Sequence, residues 1–115
     1  MSRNISLYLK DILDNMNHAE NFIGSMTYEE FIQDIKTSYA VLRCIEIMGE
    51  AAKNIPDSVR KKHPDIPWKE MAGMRDKVIH FYFGVDPAKV WFAVKDDIQR
   101  IRPLIQEAFQ QIQYQ

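Results

Sequence analysis

Residues 27–56 read TYEEFIQDIKTSYAVLRCIEIMGEAAKNIP, and the way this stretch folds decides the architecture. Thr27 stands three residues before Glu30. That is the spacing of a capping box, in which the hydroxyl accepts from the third helical N–H and the carboxylate accepts from the N–H of the cap. No Gly or Pro interrupts the run before Gly49, and Pro56 ends it, because the residue before a proline is driven away from helical torsions. One helix of about 27 residues, about 40 Å long, is predicted. At 100° per residue, Phe31, Ile35, Leu42 and Gly49 fall within about 40° of one another. Val41, Cys44, Ile45, Met48, Ala52 and Ile55 form a second apolar band on another side. A helix apolar on two sides needs partners on both, which places it inside an all-α bundle and offers one band for dimerisation. Tyr39, Arg43, Glu46, Glu50 and Lys53 run along one edge between the bands. This polar seam is either a solvated edge stitched by neighbouring charges or the lining of a cleft or subunit interface.

The flanking sequence is helical too. Ile5, Leu9, Ile12, Leu13, Met16, Ala19, Phe22 and Ile23 recur at spacings of three and four, predicting a first helix from Asn4 to Ile23 that stops near Gly24. After Pro56 comes a connector with one short helical turn over Asp57 to Lys62. Pro67 suits a first helical position, so a third main helix is predicted from Trp68 to Phe83, with Gly73 a possible bend and Gly84 the stop. Asp86 and Pro87 form a cap and first-turn pair. They open a last helix to about Gln113, kinked near Gln99 because Pro103 lacks the N–H that would bond there. The expected architecture is an up-and-down bundle of four main helices plus a short connecting helix, as a single domain over residues 1–115.

Composition narrows the function. With 46% hydrophobic and 11% aromatic residues, 115 residues can bury a core. Fifteen Lys+Arg against sixteen Asp+Glu give a net charge of −1, so no global field holds a polyanion and any nucleic-acid contact must be local. The first residues, MSRNISLYLKDILD, carry Asp11 and Asp14, which fits neither a signal peptide nor a membrane span. A single cysteine, Cys44, forms no internal disulfide and excludes a cysteine-rich zinc cage, so a reducing cytoplasm is the expected location. His18 lies on the first helix and His63 in the connector, both without paired ligands; neither a metal nor a cofactor is expected.

The chemistry concentrates in residues 73–87, GMRDKVIHFYFGVDP. On a regular helix Asp76 and His80, at i and i+4, stack, so the carboxylate can orient the imidazole. Arg75 and His80 lie about 140° apart and cannot easily aim at one atom from the same helix. If they act together, either the helix ends before His80 or the same segment of a second subunit completes the site, as a two-fold interface would allow. Arg60, Lys61 and Lys62 form the densest basic run, with Lys77 near in sequence; they are candidate RNA contacts or simply a solvated connector.

The run from Arg75 to Tyr82 is an R-x4-H-x-Y pattern, and it resembles the signature of HEPN-domain ribonucleases, the tyrosine extension resembling the HepT toxin branch. RCIEIMGEAAKNIP, PWKEMAGMRDKVIHFYFGVDPAKVW and the helix that follows are similar to the HepT-like pattern in order and separation, so the resemblance covers about Tyr39 to Ile101. It implies a homodimeric all-helical bundle and a metal-independent endoribonuclease toxin of a type VII-like toxin–antitoxin system, cutting tRNA or mRNA at a shared cleft. By the same resemblance Arg75 and His80 are catalytic and Asp76 orients His80. Tyr82 is the acceptor of AMP from a cognate MNT-type nucleotidyltransferase antitoxin. Arg43, Glu46 and Glu50 are candidates for supporting the site. Two other readings stay open: a non-catalytic binding or scaffold subunit of a nucleotidyltransferase, and a purely structural dimerisation domain.

Overall fold

The chain's local signals are satisfied at their expected places. In a computed structural model, described for the backbone of residues 4–80 and 86–113 and for the side chains of 4–77 and 86–112, all regular structure is helical. Helix α1 (Ile5–Ile23) starts at Asn4, whose side chain accepts from the Ser6 N–H at 2.8 Å. It ends at Gly24, whose φ of +54° is a left-handed torsion that only glycine adopts cheaply. The capping box forms at α2 (Tyr28–Gln33), with Glu30 N–H to Thr27 Oγ1 at 3.1 Å and Thr27 N–H to Glu30 Oε1 at 2.9 Å.

The single long helix does not form. The chain breaks at Asp34, with φ −96° and ψ 93°, and restarts as α3 (Ile35–Lys53). Asp34 Oδ1 accepts the Thr37 N–H at 3.0 Å, so this residue acts as a new N-cap. A short carboxylate is more stable capping a helix than lying inside one, where it competes with the backbone for hydrogen bonds. The break uncouples the first apolar band: Phe31 is buried against Trp91 at 5.6 Å, whereas Ile35 is 67% exposed and Leu42 half-buried. The second band holds, with Val41, Cys44, Ile45, Met48, Ala52 and Ile55 all in the core.

Helix α4 (Asp57–Lys62) is the expected short connector, and α5 (Trp68–His80) runs without interruption through Gly73. The predicted continuation to Phe83 and the stop at Gly84 fall outside the described residues. Asp86 caps α6 (Pro87–Phe92), accepting the Ala88 N–H at 2.9 Å. A π-helical turn, Ala93–Asp97, then leads into α7 (Ile98–Gln113), which carries Pro103 internally. The irregularity therefore lies upstream of the kink expected near Gln99. Val90, Val94 and Ile98 are all buried at spacings of four. All three keep to the core side through the π turn.

Helix α3 packs against α1 and α5, and α7 packs on α1. Arg102 and Gln99 on α7 both reach Glu20 on α1, fixing that contact. This helical bundle leaves the α3–α5 contact close to the surface, where the charged residues of both helices meet.

Candidate functional site around Arg75

Arg75 stands at a close approach of α3 and α5. A Cβ built on Gly49 would lie 2.2 Å from Arg75 Cβ and 2.7 Å from the Met71 carbonyl oxygen. Real carbon atoms do not approach below about 3.5 Å without repulsion, so only glycine fits here. Gly49 was expected merely as a member of an apolar band. A glycine between Met48 and Glu50, deep within a run of good helix formers, costs the helix about 1 kcal/mol, and that cost was the available signal of a close contact.

Across this contact the seam of α3 meets α5. Arg75 Nε lies 3.0 Å from Glu50 Oε2, and Arg75 NH1 lies 3.1 Å from Asp76 Oδ1. Lys53 Nζ donates to the same Asp76 Oδ1 at 2.7 Å. Four charges alternate in sign from Glu50 through Arg75 and Asp76 to Lys53. The Arg75 Nε–H does not point at the Glu50 oxygen, so that contact is an ion pair without a directed hydrogen bond. Lys53 first, and Arg75 second, hold the Asp76 carboxyl below its ordinary value of 3.8. Arg43 pairs with Glu46 one turn earlier on α3.

Arg75, Glu50, Glu46 and Arg43 border a cleft of about 290 Å³ together with Tyr8 and Asp11; Asp76 and Lys53 lie outside its lining. The Arg75 side chain is 24% exposed. It is a permanent cation, mostly withdrawn from water yet open to the cleft, which strengthens its hold on an anion. The polar seam shows both expected features: Arg43 and Glu46 pair along an exposed edge, and Arg43, Glu46 and Glu50 also line the cleft, whereas Tyr39 and Lys53 do not.

The predicted residues separate into groups. Arg75, Asp76, Arg43, Glu46 and Glu50 come together, joined by Lys53, which was seen in the seam but not assigned a role. His80 closes α5, and its side chain lies outside the described ones; Tyr82 lies outside the described residues altogether. Because α5 is continuous to His80, Arg75 and His80 remain about 140° apart around one helix. Of the basic candidates, Lys61, Lys62 and Lys77 are exposed and do not line the cleft. Arg60 is occupied elsewhere: its Nε donates to the Ile55 carbonyl at 3.0 Å and its NH2 to the Ala52 carbonyl at 2.7 Å, capping the end of α3.

A larger cavity, about 610 Å³, opens between α3, α5 and the π turn. Its lining includes Met16, Met48, Met71 and Met74, and the charges beside it, Glu70, Lys77, Asp97 and Arg100, are all exposed. The ion pair among them, Arg100 NH2 to Asp97 Oδ1 at 3.5 Å, is exposed and joins neighbours on a single stretch of chain, whereas the Arg75–Glu50 pair crosses between two helices. Cys44 is buried and its thiol is pushed up by burial, so it is a core residue and not a nucleophile.

Residues 12–108 match the family described as Ribonuclease HepT-like. The chain is 48% identical over 111 residues to "Putative RNase MJ1216" of Methanocaldococcus jannaschii, covering 96% of this chain and 92% of that one. It is 48% identical over 102 residues to "Probable ribonuclease HepT" of Thermococcus cleftensis, covering 89% and 93%. No solved structure gives a significant match. Arg75 and its α3 partners all fall inside the matched region, and the chain belongs to the ribonuclease HepT-like family of the HEPN superfamily, an endoribonuclease by that membership.

Proposed function

We propose that this chain is a metal-independent endoribonuclease toxin that cuts tRNA or mRNA by attack of the substrate's own 2′-OH. RNA carries its nucleophile, so the protein must supply a base for the 2′-OH proton, an acid for the leaving 5′ oxygen, and a cation against the charge that builds on phosphorus. Arg75 is the cation, gripping the phosphate oxygens. His80 performs the proton transfers, and Asp76 orients it. The products are a 2′,3′-cyclic phosphate and a 5′-OH, and DNA is not cut.

The observation that carries this reading is Arg75 itself, held by Glu50 and Asp76 at the edge of a cleft, on a helix that continues to His80. A helix α5 continuous to His80 favours sharing of the site between two copies. In this reading the protein is a homodimer in which Arg75 of one copy works with His80 of the other. Relatives named as ribonucleases support RNA cleavage as the activity.

Control of the toxin falls to Tyr82. A cognate MNT-type nucleotidyltransferase would transfer AMP from ATP to its hydroxyl: the tyrosine oxygen bonds to the α-phosphorus and pyrophosphate leaves. The added phosphate and nucleotide then occupy the space and the positive charge that substrate phosphate needs.

Purified protein incubated with tRNA and mRNA in EDTA, beside Arg75→Ala and His80→Ala, tests the activity. Cleavage lost in both variants is expected; a silent wild type, or equal cleavage by the variants, overturns it and leaves the scaffold reading. Tyr82→Phe is expected to cleave yet escape inactivation by the partner and ATP. Its silencing by covalent AMP would overturn the switch.

A further inference from the structure

We infer that Lys53 is a positioning residue for the reaction, acting through Asp76 to set the aim of Arg75; this rests on the ribonuclease reading above. Lys53 is 23 positions from Asp76 in sequence and on a different helix, yet their charged atoms lie 2.7 Å apart. Its ammonium shares one oxygen, Oδ1, with the guanidinium of Arg75 at 3.1 Å. The side chains of Lys53 and Asp76 are 39% and 43% exposed. Exposed pairs of this kind contribute little to stability, so the contact is better placed to orient than to hold the fold together.

The arrangement is directional. Carboxylate Oδ1 of Asp76 takes both cations, Lys53 and Arg75, which fixes the rotation of the carboxyl group. Glu50, one turn before Lys53 on α3, faces the opposite flank of the guanidinium at Nε. Arg75 is thereby pulled from two sides by partners that α3 carries or steers, and Gly49 brings α3 close enough for both. Without Lys53, Asp76 is free to turn, its Oδ1 is no longer shared, and the guanidinium follows the carboxylate instead of facing the cleft. Since Lys53 touches Asp76 and not the scissile phosphate in this scheme, its loss affects the rate of the bound complex more than the binding of RNA.

The test compares wild type, Lys53→Met and Lys53→Arg, with Arg75→Ala as the inactive reference, by steady-state cleavage of tRNA and by thermal unfolding. Lys53→Met is expected to lower kcat about three- to tenfold with KM within about twofold, and Lys53→Arg to recover most of the loss, because arginine keeps the charge and the donor. An unchanged kcat overturns the inference. So does a rise in KM at constant kcat, which would make Lys53 an RNA contact, or an equal loss in both Lys53 variants. A carbon-13 titration of the Asp76 carboxyl reads the contact without RNA: its midpoint is expected to rise in Lys53→Met, and an unmoved midpoint also overturns the inference. If wild-type protein fails to cleave, the ribonuclease reading falls and the role of Lys53 with it, while the titration still shows whether the contact exists.

Discussion

Replacing Gly49 by alanine tests the close contact on which the site depends. The new Cβ would lie 2.2 Å from Arg75 Cβ and 2.7 Å from the Met71 carbonyl. An ordinary carbon–carbon contact is about 3.5–4.0 Å, so the two must separate by roughly 1.3–1.8 Å. Neither neighbour is the end of a flexible side chain, so α5 must move as a body. Overpacking of this kind costs about 1–3 kcal/mol, offset by the 0.5–1 kcal/mol that alanine gains over glycine in a helix. A net loss of about 1–2 kcal/mol lowers Tm by roughly 3–8 °C in a domain of this size. The effect on cleavage is larger: a shift of about 1 Å at a group that grips the reacting phosphate can cost about a hundredfold. Gly73 is the control, because a Cβ there meets nothing within 4 Å. Gly73→Ala is expected to raise Tm by a few degrees and to keep activity. Circular-dichroism melts and RNA cleavage assays on both variants decide the matter. A Gly49→Ala protein as stable as wild type that cleaves within twofold of it would refute the reasoning.

Three further outcomes are expected. Thr27→Ala removes one half of the capping box and should destabilise by about 1 kcal/mol, with Thr27→Asp largely restoring the melt. Charge reversal at the exposed Lys61 and Lys62 should weaken RNA binding and flatten its dependence on salt if α4 contacts the backbone of RNA; an unchanged slope removes α4 from the interface. Asp76 titrates below its ordinary value in the folded chain. Its contribution to stability is therefore present above the unfolded pKa of about 3.9 and is lost as pH falls through the folded value. In urea unfolding across pH, the gap between wild type and Asp76→Asn should be constant above about pH 5 and shrink below pH 4.

What could be read from the sequence divides by the range of the interaction. Asn4, Gly24, the Thr27–Glu30 box and the Asp86–Pro87 start are local patterns, complete within one turn of chain, and each appears where its residues demand. The break at Asp34 was legible in principle but undervalued, since the same aspartate is tolerable inside a helix and better as a cap, and uninterrupted helical periodicity hid the choice. The π turn had no such local signal: Val90, Val94 and Ile98 are buried at spacings of four, but so are Cys44, Met48 and Ala52 on the regular α3. The pairings at the site were of another kind. By local rules Lys53 belongs with Glu50 on its own helix, and nothing in periodicity says that it reaches Asp76 instead. Which charges meet between two helices is set by where the helices cross, and side-chain bulk decides where a crossing is possible. Along α3 the position that admits another backbone is Gly49, and a crossing anchored there carries Arg75 and Asp76 to the very residues, Glu50 and Lys53, that flank it.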